Sequence, residues 1–271
     1  IFSVTRQVIA LLDQHGIHAL LADELAGELV DTKAVFLPQQ QAMAQAKQVI
    51  TIGGDGTLLR IAHDCLAQSK PVLGVNLGRI GFLATCEVAE LPEKLARLAA
   101  GRYTIEPRNL LRADAPAHNW HQVAMNDVVL FGNSRLHPMD YTVYCDGAFV
   151  SRYRSDGVII ATPTGSTAYS LSAGGPVVEP TASLIVITPI CSHALNTSSV
   201  VLSAEDDVEV EICEGRYGRQ EKVALCYDGA VQRQLVSGDR VKIRKSDAKA
   251  HLVKLSEESF MITMREKMKG N

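Results

Sequence analysis

Near residue 102 the sequence changes its hydrophobic period, and no fold built from one kind of layer accommodates both parts. Before that point, short apolar runs alternate with helical faces. QVITI (48 to 52) reads as a buried strand. Leu58, Leu59, Ile61, Ala62, Cys65 and Leu66 then recur as one face of a helix. PVLGVN (71 to 76) is a second buried strand, and Leu91, Leu95 and Leu98 mark a further helix. Strands alternating with helices predict a parallel sheet with crossover helices. The chain opens on a helical pattern, with Val4, Val8, Leu11 and Leu12 at i, i+4, i+7 and i+8. A strand-like HALLA (18 to 22) and a Gln-rich helical stretch (38 to 48) follow. An α/β domain normally begins on a strand, so the pattern predicts one ahead of the first helix.

Beyond residue 102 short strands and turns dominate: VAMNDVVL (123 to 130), MDYTVYCDGAFVSRY (139 to 153), GVIIA (157 to 161), SLIVIT (183 to 188), VEVEI (208 to 212), VALCY (223 to 227), RVKIR (240 to 244) and HLVKL (251 to 255). The Asp-Gly pairs at 146–147 and 228–229 are hairpin-turn signals. DAPAHNW (114 to 120) reads as a short surface loop. This is all-β, sandwich-like sequence. SEESFMITMREKMK (256 to 269) reads as a helix with Ser256 as a cap. The expected organisation is an α/β domain over residues 1–101 with a parallel sheet, a β-rich domain over 102–255, and a final helix, 256–271, that returns to the first domain.

Composition narrows the function classes. The formal net charge of -3 leaves no electrostatic footprint for nucleic acid or an anionic membrane surface. No apolar run approaches the roughly 18 residues of a membrane-spanning helix. IFSVTRQVIA lacks the charged start and cleavage site of a signal peptide. Six scattered cysteines have no zinc or disulfide spacing and read as reduced, mostly core thiols of a cytoplasmic protein. The eight histidines form no metal-ligand pattern.

The chemistry concentrates in ITIGGDGTLLR (50 to 60), where a strand ends and a helix begins. Ligands of open α/β sheets bind at such carboxyl ends. Glycines allow close backbone approach and positive φ, and helix N-terminal amides suit phosphate. Neither a Walker A loop nor GxGxxG is present. Asp55 has two readings: a cap of the following helix, or a group that takes a proton or meets a metal in phosphoryl transfer. VNLGRIGFL (75 to 83) is a second strand-end loop, in which Phe82 is either a ring for a base or an ordinary core aromatic. TPTGSTAYS (162 to 170), followed by GGP, is dense in hydroxyls and glycines. It is either a Ser/Thr-rich turn or a set of short hydrogen bonds for sugar, phosphate or base. Asn126 and Asp127 sit side by side on a strand, whose neighbours point to opposite faces. The strand must end or bulge there if both are to touch one ligand.

GGDGT (53 to 57), NLGRIGFL (76 to 83), ND (126–127), DG (156–157) and TPTGSTAYSLSAGGP (162 to 176) stand in one order over most of the chain. In this combination the sequence resembles the bacterial-type NAD kinases. GGDG alone also occurs in diacylglycerol kinases, sphingosine kinases and 6-phosphofructokinases; TPTGSTAY narrows the choice. The resemblance implies transfer of the γ-phosphoryl group of ATP or polyphosphate to the 2′-hydroxyl of the adenosine ribose of NAD, with Mg²⁺, giving NADP. It implies a homo-oligomer, tetramer or dimer, and no nucleic-acid or membrane partner. By matching motif it makes Asp55 the proton acceptor, Gly53, Gly54 and Thr57 the phosphate loop, and Gly56, Arg60 and Phe82 part of the NAD site. Asn126 and Asp127 match the pair that holds the nucleoside parts, and Arg154 and Asp156 match charged substrate-binding positions. Thr164, Thr167, Ala168, Tyr169, Ser170, Leu171 and Ser172 match the adenosine pocket. No metal ligand is assigned. Ser198 and Ser199 stand where the family often has Arg-Pro, and Ala230 where Gln is common.

Overall fold

The computed structural model describes residues 1–78, 81–133, 137–194, 197–256 and 260–268. The chain divides into two compact units, Ile1–Pro107 with Ala250–Asn271, and Arg108–Lys249. No helix among the described residues is long and apolar enough to cross a membrane.

The first unit is α/β. Its strands Val49–Gly53 and Val72–Asn76 pair in parallel, from Val49 opposite Val72 to Gly53 opposite Asn76. Cys86–Glu87 pairs in parallel with the end of the second strand, and Leu252 pairs with Val72 at its start. All five residues of Val72–Asn76 are buried, which is why this strand reads as an unbroken apolar run. A separate parallel pair joins Leu20–Ala22 to Val35–Leu37. The opening helix, Phe2–Gln14, buries Val8, Ile9 and Leu12. Helix Leu91–Ala99 buries Leu91, Leu95 and Leu98. Val8, Leu12, Leu91, Leu95 and Leu98 meet Leu73, Val75, Cys86, Val253 and Leu255 in one core. Each such Leu contributes about 1.5–3 kcal/mol by leaving water.

Two contacts in this core fix the loop that follows Val72–Asn76. A Cβ at Gly74 would meet Leu58 Cδ1 and Ala84 Cα at 2.6 and 2.7 Å, so the glycine lets the loop backbone lie on the strand. Downstream, the buried Lys94 amine donates to Glu90 Oε2 at 2.7 Å and to the Thr85 carbonyl at 3.4 Å. Glu90 Oε2 also accepts the Glu87 amide, closing a capping box.

The second unit is a sandwich of antiparallel strands. One sheet has the order Val200–Ser203, Leu184–Ile190, Gly157–Ala161, Asp127–Gly132, Lys222–Tyr227, Ala230–Val236. The other orders Ala148–Ser155, Met139–Cys145 and Val208–Ile212 beside Arg240–Lys254; Thr104–Ala115 pairs with both that last strand and Trp120–Ala124. Their inner faces share one core, with Tyr141 among its largest fully buried side chains. Both Asp-Gly turns have positive φ at both residues, 50° and 77° at Asp146–Gly147, 46° and 80° at Asp228–Gly229. That is the primed hairpin geometry the sequence predicts.

The structure corrects four details of the sequence reading. RVKIR and HLVKL are one strand, Arg240–Lys254. VAMNDVVL is two strands, Trp120–Ala124 and Asp127–Gly132, broken at Met125 and Asn126. The DAPAHNW loop is shorter than expected, a hairpin turn over residues 116–119 with Asn119 at φ 45°, because Asp114, Ala115 and Trp120 belong to the paired strands. The cysteines are all free, yet only Cys65 and Cys86 are buried, and Cys191 is exposed. The final helix runs from Phe260 to Met268, and the Phe260 ring lies 5.9 Å from that of Phe82 in the same unit. The expected capping by Ser256 falls on residues 257–259, outside the described residues.

Candidate active site

Asp55 is the first residue of helix Asp55–Leu66, one residue beyond the strand that ends at Gly53. Its carboxylate does not cap that helix. Oδ2 accepts the Phe82 amide at 2.8 Å, and Oδ1 accepts the amides of Leu83 at 3.1 Å and Ala84 at 2.9 Å. Three consecutive backbone donors thus hold one carboxylate. A Cβ at Gly81 would overlap that carboxylate, so the loop approaches only because residue 81 is glycine. Arg79 and Ile80 of the NLGRIGFL motif lie outside the described residues.

The glycines of the turn serve space rather than handedness. Gly53, Gly54 and Gly56 all lack the positive φ that the sequence reading allowed. A Cβ at Gly53 would meet Thr57 Oγ1 at 2.5 Å, whereas Gly54 and Gly56 face open space. Gly56 and Arg60, four residues apart, are exposed on the same helix face. Phe82 is half-buried, with its ring tilted 40° to that of Phe260.

The β unit gathers a second group. The chain breaks between strands at Met125–Asn126, as two neighbouring polar side chains with one ligand require. Asn126 is half-buried and Asp127 buried. The backbone of the break is held from two sides. Asp228 Oδ2 accepts the Met125 amide at 2.8 Å, and its Oδ1 accepts those of Asn126 at 2.7 Å and Asp127 at 3.2 Å. Thr162 donates its hydroxyl to the Met125 carbonyl at 2.6 Å and its amide to the Asn126 carbonyl at 2.9 Å. Gly165 lies so close that a Cβ there would overlap the Asn126 carbonyl.

Most hydroxyls of TPTGSTAYS hold the loop itself. Thr162 accepts the Gly165 amide, Thr164 accepts Arg108 Nη1 at 3.2 Å, and Ser166 accepts the Val178 amide at 3.0 Å. Ser170 pairs with Thr188 at 3.0 Å, with Gly175 leaving room for them. What the loop presents outward is Tyr169, Leu171 and Ser172, with Thr167 and Ala168 half-buried. Beside it a cavity of about 730 Å³ is lined by Gly174, Thr188, Ser192, Thr197, Ser198 and Ser199, the last two being the altered positions. Arg154 and Asp156 are half-buried at a strand end, where the Arg154 carbonyl accepts the His193 amide. Arg108, Thr162 and Asp228 are the residues that sequence reading missed. Asp228 already had an explanation as half of a turn signal, so nothing asked for another.

Burial pushes the Asp127 carboxyl up to about 7, and the neighbouring Asp228 carboxylate adds to the rise. A carboxyl raised in the folded state holds its proton longer there than in the unfolded chain. Its contribution to stability therefore falls as pH climbs from the ordinary carboxylate range through about 7. Asp127→Asn removes that loss. Its stability relative to the wild type should rise by about 3 kcal/mol between pH 5 and pH 8, measured by urea melts at both. A constant difference would refute the shift.

Among the described residues, one group of three His, Cys, Asp or Glu side chains lies close enough to share an ion: Cys145, Asp146 and Asp206. None surrounds Asp55. A carboxylate offers about four acceptor positions, and amides fill three of Asp55's. Mg²⁺ fits such a loop in its usual manner, carried by phosphates and water rather than by a protein cage.

A carboxylate pinned beside a glycine turn, with one acceptor position open, suits proton removal from a hydroxyl during phosphoryl transfer. The class is a small-molecule kinase. The ATP-NAD kinase N-terminal domain family matches residues 2–103, and the ATP-NAD kinase C-terminal domain family residues 125–255. The chain is 37% identical to the NAD kinase of Lachnoclostridium phytofermentans, over 98% of this chain and 93% of that one. It is 35% identical to the NAD kinase of Agathobacter rectalis, over 100% and 94%. Among solved structures, yeast NADH kinase complexed with NADH matches with a TM-score of 0.85 and 28% identity, over 100% of this chain and 84% of that one. An NAD kinase from Archaeoglobus fulgidus in complex with ATP matches with a TM-score of 0.73 and 25% identity, over 93% and 98%. The chain belongs to the NAD kinase family.

Proposed function

We propose that this chain moves the γ-phosphoryl group of ATP, or the terminal phosphoryl of polyphosphate, to the 2′-hydroxyl of the adenosine ribose of NAD, giving NADP. The observation that carries the reading is the Asp55 carboxylate, held by the amides of residues 82 to 84 beside the glycine turn. A ribose hydroxyl is a weak nucleophile at neutral pH. A fixed carboxylate takes its proton as the bond to phosphorus forms. The open acceptor position of Asp55 suits that hydroxyl. Mg²⁺, when bound on the phosphates, would neutralise their charge.

The other roles follow the chemistry of each group. Gly53, Gly54 and Thr57 form the phosphate turn, and Gly56 and Arg60 offer NAD an amide and a cation on one helix face. Phe82 holds the loop through its amide. Asn126 and Asp127 take the nucleoside hydroxyls and base edge, and Arg154 and Asp156 the polar groups beyond. Thr167, Ala168, Tyr169, Leu171 and Ser172 line the adenosine pocket, and Thr164 and Ser170 support it from within. The enzyme works in the cytoplasm as a homo-oligomer, a tetramer or dimer. One assay tests the reaction: protein, Mg²⁺ and NAD with ATP or polyphosphate, and NADP read out by an NADP-specific dehydrogenase. Absence of NADP with either donor refutes it.

A further inference from the structure

We propose that Asp228 is a positioning residue for nucleotide recognition, acting through the backbone of Met125, Asn126 and Asp127. This rests on the proposed roles of Asn126 and Asp127. The turn Asp228–Gly229 needs nothing from the Asp228 side chain beyond tolerance of φ 46°. Yet both carboxylate oxygens reach about 100 positions back along the chain and accept three consecutive amides at 2.7 to 3.2 Å. Met125 and Asn126 lie in the lapse between the strands that end at Ala124 and begin at Asp127, and Asp127 opens the second of them opposite Ala161. The carbonyls of Met125 and Asn126 are held separately by Thr162. Asp228 and Thr162 thus supply the polar partners of the break, and the direction of the Asn126 and Asp127 side chains depends on both. Asp228 also returns its own amide to the Asp127 carbonyl at 3.1 Å.

The same protein contains a matched control. Asp146 occupies the other Asp-Gly turn, at φ 50°, and among the described residues its carboxylate accepts only the Asp207 amide, at 3.0 Å. Asparagine tolerates the left-handed conformation as aspartate does. Asp228→Asn and Asp146→Asn therefore leave both turns intact. In Asp228→Asn an NH₂ faces an amide N–H, and the bonds that remain lose their charge assistance.

The experiment is steady-state kinetics of both variants and the wild type, with thermal melts. Asp228→Asn should raise KM for NAD roughly tenfold, with KM for ATP and kcat little changed; Asp146→Asn should leave all three unchanged. If the wild type makes NADP and the two variants behave alike, the positioning role is wrong while the site reading stands. A wild type that makes no NADP removes the site reading and this inference with it. Hydrogen exchange of the wild type supplies a second test should Asp228→Asn fail to fold. The amides of Met125, Asn126 and Asp127 should be protected before any NAD is added. Free exchange there until NAD binds overturns the proposal.

Discussion

Asp55→Asn should lower kcat by about 10²- to 10⁴-fold, the usual contribution of a positioned general base. Its affinity for NAD should stay close to that of the wild type. The two effects separate because the amide nearly matches the carboxylate in shape. Asn Oδ1 can still accept the amides of Leu83 and Ala84, while its NH₂ meets the Phe82 N–H, where Oδ2 now sits at 2.8 Å. Facing donors cost about 1 kcal/mol at a half-buried site, roughly 2–4 °C in Tm for a protein of this size. A loss that small cannot produce a thousandfold fall in turnover. Stopped-time NADP assays and equilibrium titration with NAD check both arms. Near wild-type NADP formation would remove Asp55 from the proton-acceptor role.

Gly165→Ala should be the most damaging single methyl in the β unit. The added Cβ overlaps the Asn126 backbone carbonyl, which cannot swing aside as a side chain would. Either the break at Met125–Asn126 or the loop from Thr162 must move, and Thr162 ties the two together. Forced overpacking of this kind costs about 3 kcal/mol or more. NAD binding should weaken by more than about tenfold with it. Gly27→Ala is the comparison: nothing lies within 4 Å of its Cβ position and its φ is not positive. That change sits in a helix and should be neutral or stabilising. Urea melts and NAD titration of both variants decide the matter. A Gly165→Ala protein that melts and binds like the wild type would mean the loop is not seated on Asn126.

How far the sequence carries depends on the range of the interactions that decide each feature. Val72–Asn76 is legible because burial on both faces leaves an apolar run, whereas Val49–Gly53, expected to be buried, is half-buried apart from Thr51 and is legible from its β-branched residues. The two Asp-Gly turns are legible because their φ values restrict residue choice locally. Arg240–Lys254 hides as two strands because its middle, from Lys245 to Lys249, buries only Ser246. Thr104–Ala115 begins with exposed Thr104 and Ile105 and carries Pro107, which hides its strand pattern. The backbone at the Met125–Asn126 lapse is held from a hundred residues away, by the Asp228 carboxylate. The hydroxyls of TPTGSTAYS show a different limit. Composition reveals that they are dense, but not that Thr162, Ser166 and Ser170 face inward. For Asp55 the four residues of the glycine turn alone left a helix cap and a functional group as equals, and the family resemblance chose the second. Three amides from a loop 27 to 29 residues downstream removed the cap.

The grip on Asp55 also makes the loop a reporter. Each of the three amides points its hydrogen at one carboxylate, so any change in that group's charge alters the electron density around all three protons. On the proposed role of Asp55, a proton arriving from ribose, or a cation drawing near, would be transcribed onto the backbone resonances of Phe82, Leu83 and Ala84. These three peaks in an amide spectrum would let the chemical step be watched from the protein's side, with no label on the nucleotide.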